Sequence, residues 1–169
     1  NGVLTIGNLP LRTYYLREET APDGYIKLEN EVTITVDKAI NNNEANTVKL
    51  TVENTKIKTS VTAIKTWING PTPRPTIHLQ LYRDNVEHGD PVEFTDGETI
   101  HTWNNLDKTD IDGKEYVYTV DEVNVPTNYV KSISEDGLTV INTYVSPKTQ
   151  ITGTKVWVGG PTERPSIKL

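Results

Sequence analysis

Residues 116–126 read YVYTVDEVNVP, and counting by twos from Tyr116 places Tyr118, Val120 and Glu122 on one face, because successive side chains of a strand point to opposite sides. An acid therefore stands where the alternation asks for another apolar residue. The same count in VTAIKTW (61–67) puts Lys65 with Val61, Ala63 and Trp67. In LTVINTY (138–144) it puts Asn142 with Leu138, Val140 and Tyr144. A lysine, a glutamate and an asparagine are thus expected to enter one core.

Working outward, almost every segment reads as a short strand bounded by Gly, Pro, Asn or Asp, and none sustains a helical apolar period. The spacing predicts strands over 31–36, 47–54, 61–67, 76–82, 115–123 and 138–144, with a polar loop at 39–46. The chain is therefore expected to be all-β. With 169 residues, 34% hydrophobic content and a single Phe, it is too polar for one large core and suits several small ones. A net charge of −6 argues against nucleic acid or an anionic membrane as the main partner. No stretch is apolar enough to span a bilayer, so any targeting or anchoring element is expected outside these residues. The absence of Cys excludes disulfides and thiol chemistry.

VTAIKTWINGPTPRPTIHL (61–79) aligns without gaps to ITGTKVWVGGPTERPSIKL (151–169), ten identities in nineteen positions at an offset of 90. A fainter echo links VENTK (52–56) to VINTY (140–144), each a strand ending in Asn-Thr. Repeats of this kind imply stacked units that contact mainly their neighbours. The expected organisation is the back part of one module over 1–56, a complete module over 57–146, and the front strands of a third over 147–169. Parity extends to the outer two. Glu18, rather than Glu19, goes with Tyr14 and Leu16; Asn54 goes with Val48, Leu50 and Val52; Lys155 goes with Ile151 and Trp157.

Two readings of the inward polar residues stand open at this point. In one, they form a hydrogen-bonded cluster that only satisfies itself, since unpaired burial is costly. In the other, desolvation lowers the pKa of a lysine and raises that of a glutamic acid. A neutral amine is a nucleophile, and the Asn142 carboxamide offers it a carbonyl carbon. Glu122 would then polarise the amide and carry a proton to the departing ammonia. The product is an amide bond between Lys65 and Asn142, formed once and without turnover.

These residues also carry a family resemblance. The segments KTW, GPTPRPTIHLQLYRD, WNNL, DGKEYVYTVDEVNVP and LTVINTY resemble the collagen-adhesin B-type (Cna B-type) repeat of Gram-positive surface proteins, while YYLREETAPDGY and KLTVENTK are similar to its pilin-type variant. The resemblance implies tandem immunoglobulin-like or prealbumin-like β-sandwiches in a wall-attached adhesin or pilus stalk. It also implies an isopeptide crosslink from Lys65 to Asn142 with Glu122 as its catalytic acid. The outer modules depart from the pattern: Glu18, the corresponding catalytic glutamate, and Asn54, an orphan crosslink residue, lack a lysine, and the orphan crosslink lysine Lys155 lacks both partners.

Other sites are weaker. The loop DKTDIDGKE (107–115) has a calcium-loop look, but Lys108 and Thr119 occupy ligand positions, so a turn at Asp112-Gly113 is the better reading. His78, His88 and His101 lack ligand spacing. Trp67, Trp103 and Trp157 are expected as core plugs rather than sugar platforms. No metal or cofactor is called for. The expected function is a non-enzymatic stalk or spacer on a bacterial surface, with neighbouring modules as partners. The alternative is an adhesive module that binds a host matrix protein or glycan through GPTPRP (70–75) or the 39–46 loop.

Overall fold

The computed structural model describes residues 2–37 and 50–166. Among them there are twelve strands and no helix. The 39–46 loop and the first residues of the 47–54 strand lie outside the described residues.

Two four-stranded sheets face each other and enclose the main core. One contains β5 (Lys58–Ile68), β9 (Ile100–Asp107), β11 (Tyr129–Ile133) and β12 (Thr139–Tyr144), in the order β11-β12-β5-β9. The other contains β6 (Ile77–Arg83), β7 (Val86–Glu87), β8 (Val92–Phe94) and β10 (Tyr118–Glu122). There β6 pairs β10 along one edge, and β7 and β8 along the other. Ala63, Leu106 and Val140 from the first sheet meet Ile77, Leu79, Leu81, Phe94 and Val120 from the second. Alternation decides which residues these are: in β5 and β12 every second side chain turns inward, which is what a sheet with one wet face requires.

Strands β5 and β12 are neighbours and run parallel, with Lys65 opposite Val140 and Trp67 opposite Asn142. All other strand pairs of these two sheets are antiparallel. The parallel pair is the feature that brings the two ends of the sandwich side by side.

Before the sandwich, β1 (Arg12–Leu16) pairs β3 (Val32–Val36), and β2 (Tyr25–Ile26) pairs β4 (Thr55–Lys56). The described part of the 47–54 segment forms no strand. The expected 115–123 strand is shorter, because the Val117 amide donates to Asp84 Oδ1 (2.9 Å) and the Tyr116 amide to the Lys108 carbonyl (3.0 Å) instead of joining the ladder. Residues 151–158 form no strand either, and Ile151 is 91% exposed. The expected front strands of a third module are thus not formed over the described residues. A strand requires backbone partners, which β5 finds in β9 and β12; among the described residues nothing occupies those places beside 151–158.

The repeated stretch nevertheless keeps its local shape twice. Arg74 donates to the Asn69 carbonyl at 2.6 Å and lies 5.7 Å from the Trp67 ring centre. Arg164 donates to the Gly159 carbonyl at 2.7 Å and lies 5.5 Å from Trp157. This hook is encoded locally, because it forms with and without a sheet behind it.

Candidate functional site: a buried lysine, glutamate and asparagine

Lys65, Glu122 and Asn142 are 2%, 3% and 0% exposed, so all three enter the core. Lys65 and Asn142 lie on adjacent strands of one sheet, offset by two residues along the parallel register, which puts their side chains on the same inner face. Glu122 comes from β10 in the facing sheet. Its two oxygens divide between the other residues: Oε2 is 3.6 Å from Lys65 Nζ, and Oε1 accepts a 3.0 Å hydrogen bond from Asn142 Nδ2.

The surroundings favour a neutral amine. Burial brings the Lys65 pKa from 10.5 down to about 8, against the opposing charge and hydrogen bond of Glu122. Apart from Glu122, the amine finds only long hydrogen bonds, to the carbonyls of Thr66 (3.2 Å) and Val140 (3.4 Å). The Trp67 ring covers it at 4.2 Å. Asn142 Oδ1 and Glu122 Oε2 are buried without a hydrogen bond.

A second charged pair beside the site was not anticipated from the sequence. Lys131, opposite Asn142 on β11, bonds the Asp121 carboxylate and donates to the Glu122 carbonyl at 3.3 Å. It ties β10 to the other sheet beside Lys65, Glu122 and Asn142. The signal was present in the Asp-Glu pair of the opening stretch, but only the tertiary pairing shows what faces Asp121.

The first part of the chain contains a related arrangement. Asn54 Nδ2 lies 3.0 and 2.9 Å from the two oxygens of Glu18, and the Leu28 amide donates to Glu18 Oε2 at 2.8 Å. Glu19 instead pairs with Arg17 at the surface. Among the described residues no lysine forms an ion pair with Glu18. Lys155 is exposed beside Trp157 at 4.6 Å and forms no ion pair among the described residues.

The remaining residues are distributed as surface and packing positions. Asp110 Oδ1 accepts from the amides of Asp112 and Lys114, both at 2.9 Å, which closes the 107–115 loop on itself. His78 is near Glu93, His88 near Tyr118, and His101 between Phe94 and Trp103. Trp67 and Trp103 pack against the core, whereas Trp157 is exposed.

Comparison with known proteins agrees with this architecture. Residues 61–143 match the Cna protein B-type domain, and residues 1–67 match a prealbumin-like fold domain. The chain is 34% identical over 174 residues to a collagen adhesin of Staphylococcus aureus, which covers 93% of this chain and 14% of that protein. Among solved structures, a single B repeat unit (B1) of the S. aureus collagen binding surface protein aligns at 27% identity over 55% of each chain, with a TM-score of 0.47. A pilus adhesin, SpaC from Lactobacillus rhamnosus GG, aligns over 83% of this chain and 23% of its own at 10% identity and a TM-score of 0.34. The all-β chain therefore contains a Cna B-type domain match over residues 61–143 and a prealbumin-like domain match over residues 1–67, and is homologous to the B-repeat of the collagen adhesin.

Proposed function

We propose that residues 57–146 form a self-crosslinking structural module of a bacterial surface adhesin or pilus stalk, flanked by module segments over 1–56 and 147–169. The observation that carries this reading is the single carboxyl of Glu122, which touches the Lys65 amine with one oxygen and the Asn142 amide nitrogen with the other. In the proposed step, neutral Lys65 Nζ attacks the Asn142 side-chain carbonyl carbon. The new C–Nζ bond forms, the C–Nδ2 bond breaks, and Glu122 carries the proton lost by Nζ to the departing Nδ2. Lysine amine and carboxamide thereby become one secondary amide and one ammonia. Proximity in a closed core supplies the effective concentration, and escape of ammonia makes the step irreversible. Glu122 is the catalytic residue, and no cofactor enters the balance.

Intact mass tests this. The folded chain is expected to weigh one ammonia less than its sequence, and Glu122→Gln is expected to restore the full mass. An unmodified wild-type mass overturns the reading in favour of a polar cluster alone. Surface attachment to a bacterial wall is part of the same proposal, and immunolabelling of intact cells checks it. The name of the collagen adhesin also motivates the adhesive alternative, for which retention of the chain on immobilised collagen is the measurement.

A further inference from the structure

Two turns in the chain repeat one another in sequence and in hydrogen bonding. Pro22-Asp23-Gly24-Tyr25 follows Glu18 by four residues, and Pro126-Thr127-Asn128-Tyr129 follows Glu122 by four. Each is closed by its tyrosine amide on its proline carbonyl, at 3.1 Å and 3.2 Å. The third residue has positive φ in both, 80° at Gly24 and 65° at Asn128. Its carbonyl accepts from the residue three beyond the asparagine that bonds the glutamate: Ile57 to Gly24 at 2.8 Å, and Val145 to Asn128 at 2.7 Å.

The first turn has an occupant. The loop after β9 lies directly on it: a methyl group on Gly24 would overlap the Thr109 hydroxyl, and one on Gly113 would overlap Asp23. The Ile57 carbonyl accepts from the Lys108 amide at 3.1 Å, and Lys56 and Lys58 reach Asp107 at 3.6 and 2.6 Å. Thr109 is buried there. The second turn presents the same backbone to solvent, with Thr127, Asn128 and Val145 exposed. Beside it runs an open groove of about 480 Å³ lined by Pro71, Pro75, Pro126, Tyr129 and Tyr144. The chain then enters the stretch that repeats 61–79 at an offset of 90; by hydrogen bonding Val145 stands where Ile57 does, so the link to that stretch is two residues longer here.

We propose that the Pro126–Tyr129 turn is the docking seat for the unit that opens near residue 147. That unit would dock through its own counterpart of the 108–114 loop. The proposal rests on reading 147–169 as the start of a further module of this kind. The partner is recognised by backbone chemistry: an incoming amide corresponding to that of Lys108 donates to the Val145 carbonyl, which stands where that of Ile57 does, and the turn corresponding to Gly113 lies against Thr127. Asn128 carries a side chain where Gly24 has none, so the residue corresponding to Thr109 must be small or turned aside.

The test uses the polypeptide continued past residue 169 to the end of that repeat, compared with the 169-residue chain by amide hydrogen exchange and residual dipolar couplings. Exchange at Thr127 and Asn128 is expected to slow about tenfold in the longer chain, and both units are expected to share one alignment tensor. Thr127→Trp should restore fast exchange and separate the tensors, with the 57–146 sandwich still folded. A folded following unit that tumbles on its own, with exchange unchanged, overturns the docking seat alone. A continuation without dispersed amide signals overturns the module reading and the seat with it.

Discussion

In the proposed step, Lys65 is the residue whose protonation sets the rate. Its pKa near 8 means that the amine gains nucleophilic character as the pH rises through that value. Ammonia release from freshly folded chain is therefore expected to accelerate between pH 7 and 9 and then level, read by intact mass against time; a rate flat across that range would remove the neutral amine from the mechanism. The same shift has a stability consequence in an unlinked Asn142→Ala chain. Between about 8 and 10.5 the unfolded state binds more protons at Lys65 than the folded state, so stability rises with pH across this window and the full cost is felt below it. Urea midpoints at the two ends of the window, compared with a Lys65→Met, Asn142→Ala double variant, check the sign. Lys131 is bonded one step away, to the Asp121 carboxylate and the Glu122 carbonyl. Lys131→Met is expected to slow linkage by roughly three- to tenfold through looser positioning, whereas Glu122→Gln is expected to abolish it. Recovery of the rate in Lys131→Arg would distinguish positioning from a general loss of fold.

At the scale of elements, the hook of residues 67–74 and the parallel pairing of β5 with β12 have different origins. The hook is a local arrangement of Trp67, Arg74 and the Asn69 and Pro71 carbonyls, and its twin at 157–164 forms without a strand ladder. Arg74→Ala removes a charged donor with two carbonyl partners and a contact to Trp67, and is expected to cost about 1–2 kcal/mol. The measurement belongs in a Glu122→Gln background, where no crosslink masks the loss. The β5–β12 pair depends on everything between, since Lys65 meets its diagonal neighbour Asn142 only after the intervening strands have placed β12.

For the whole molecule, a Lys65–Asn142 bond would close a loop of 77 residues, 142 minus 65. By the chain-entropy estimate used for disulfides, closure stabilises an unstrained fold by about 4.5 kcal/mol. That is a large share of the roughly 5–15 kcal/mol available to a small domain. The mechanical consequence is larger, because tension entering β5 leaves through β12 along covalent links. In single-molecule pulling, the wild-type sandwich is expected to hold its length while Lys65→Met extends; extension of both to the full contour length would defeat the stalk function. At the junction before the sandwich, Gly113 has a φ of 82° and lies against Asp23. Gly113→Val is expected to uncouple the first part of the chain from the sandwich, seen as separate alignment of the two in dipolar couplings.

The sequence by itself determined the all-β class, the inward parity of Lys65, Glu122 and Asn142, and the preference for Glu18 over Glu19. Each follows from a period of two, which local sterics impose on any strand. It also contained the hook, whose contacts span only a few residues. Strand ends were less legible: Tyr116 and Val117 alternate correctly, yet their amides go to Lys108 and Asp84, and residues 151–158 repeat a strand sequence without forming one. Hydrogen-bond partners, not alternation, decide whether a segment is a strand. The parallel neighbourhood of β5 and β12, the arrival of Glu122 from the opposite sheet, the Lys131–Asp121 tie and the glycine contacts at the junction were decided only by the tertiary structure. All of them join residues distant in sequence, and parity fixes which face a side chain takes but not which strand it will meet there.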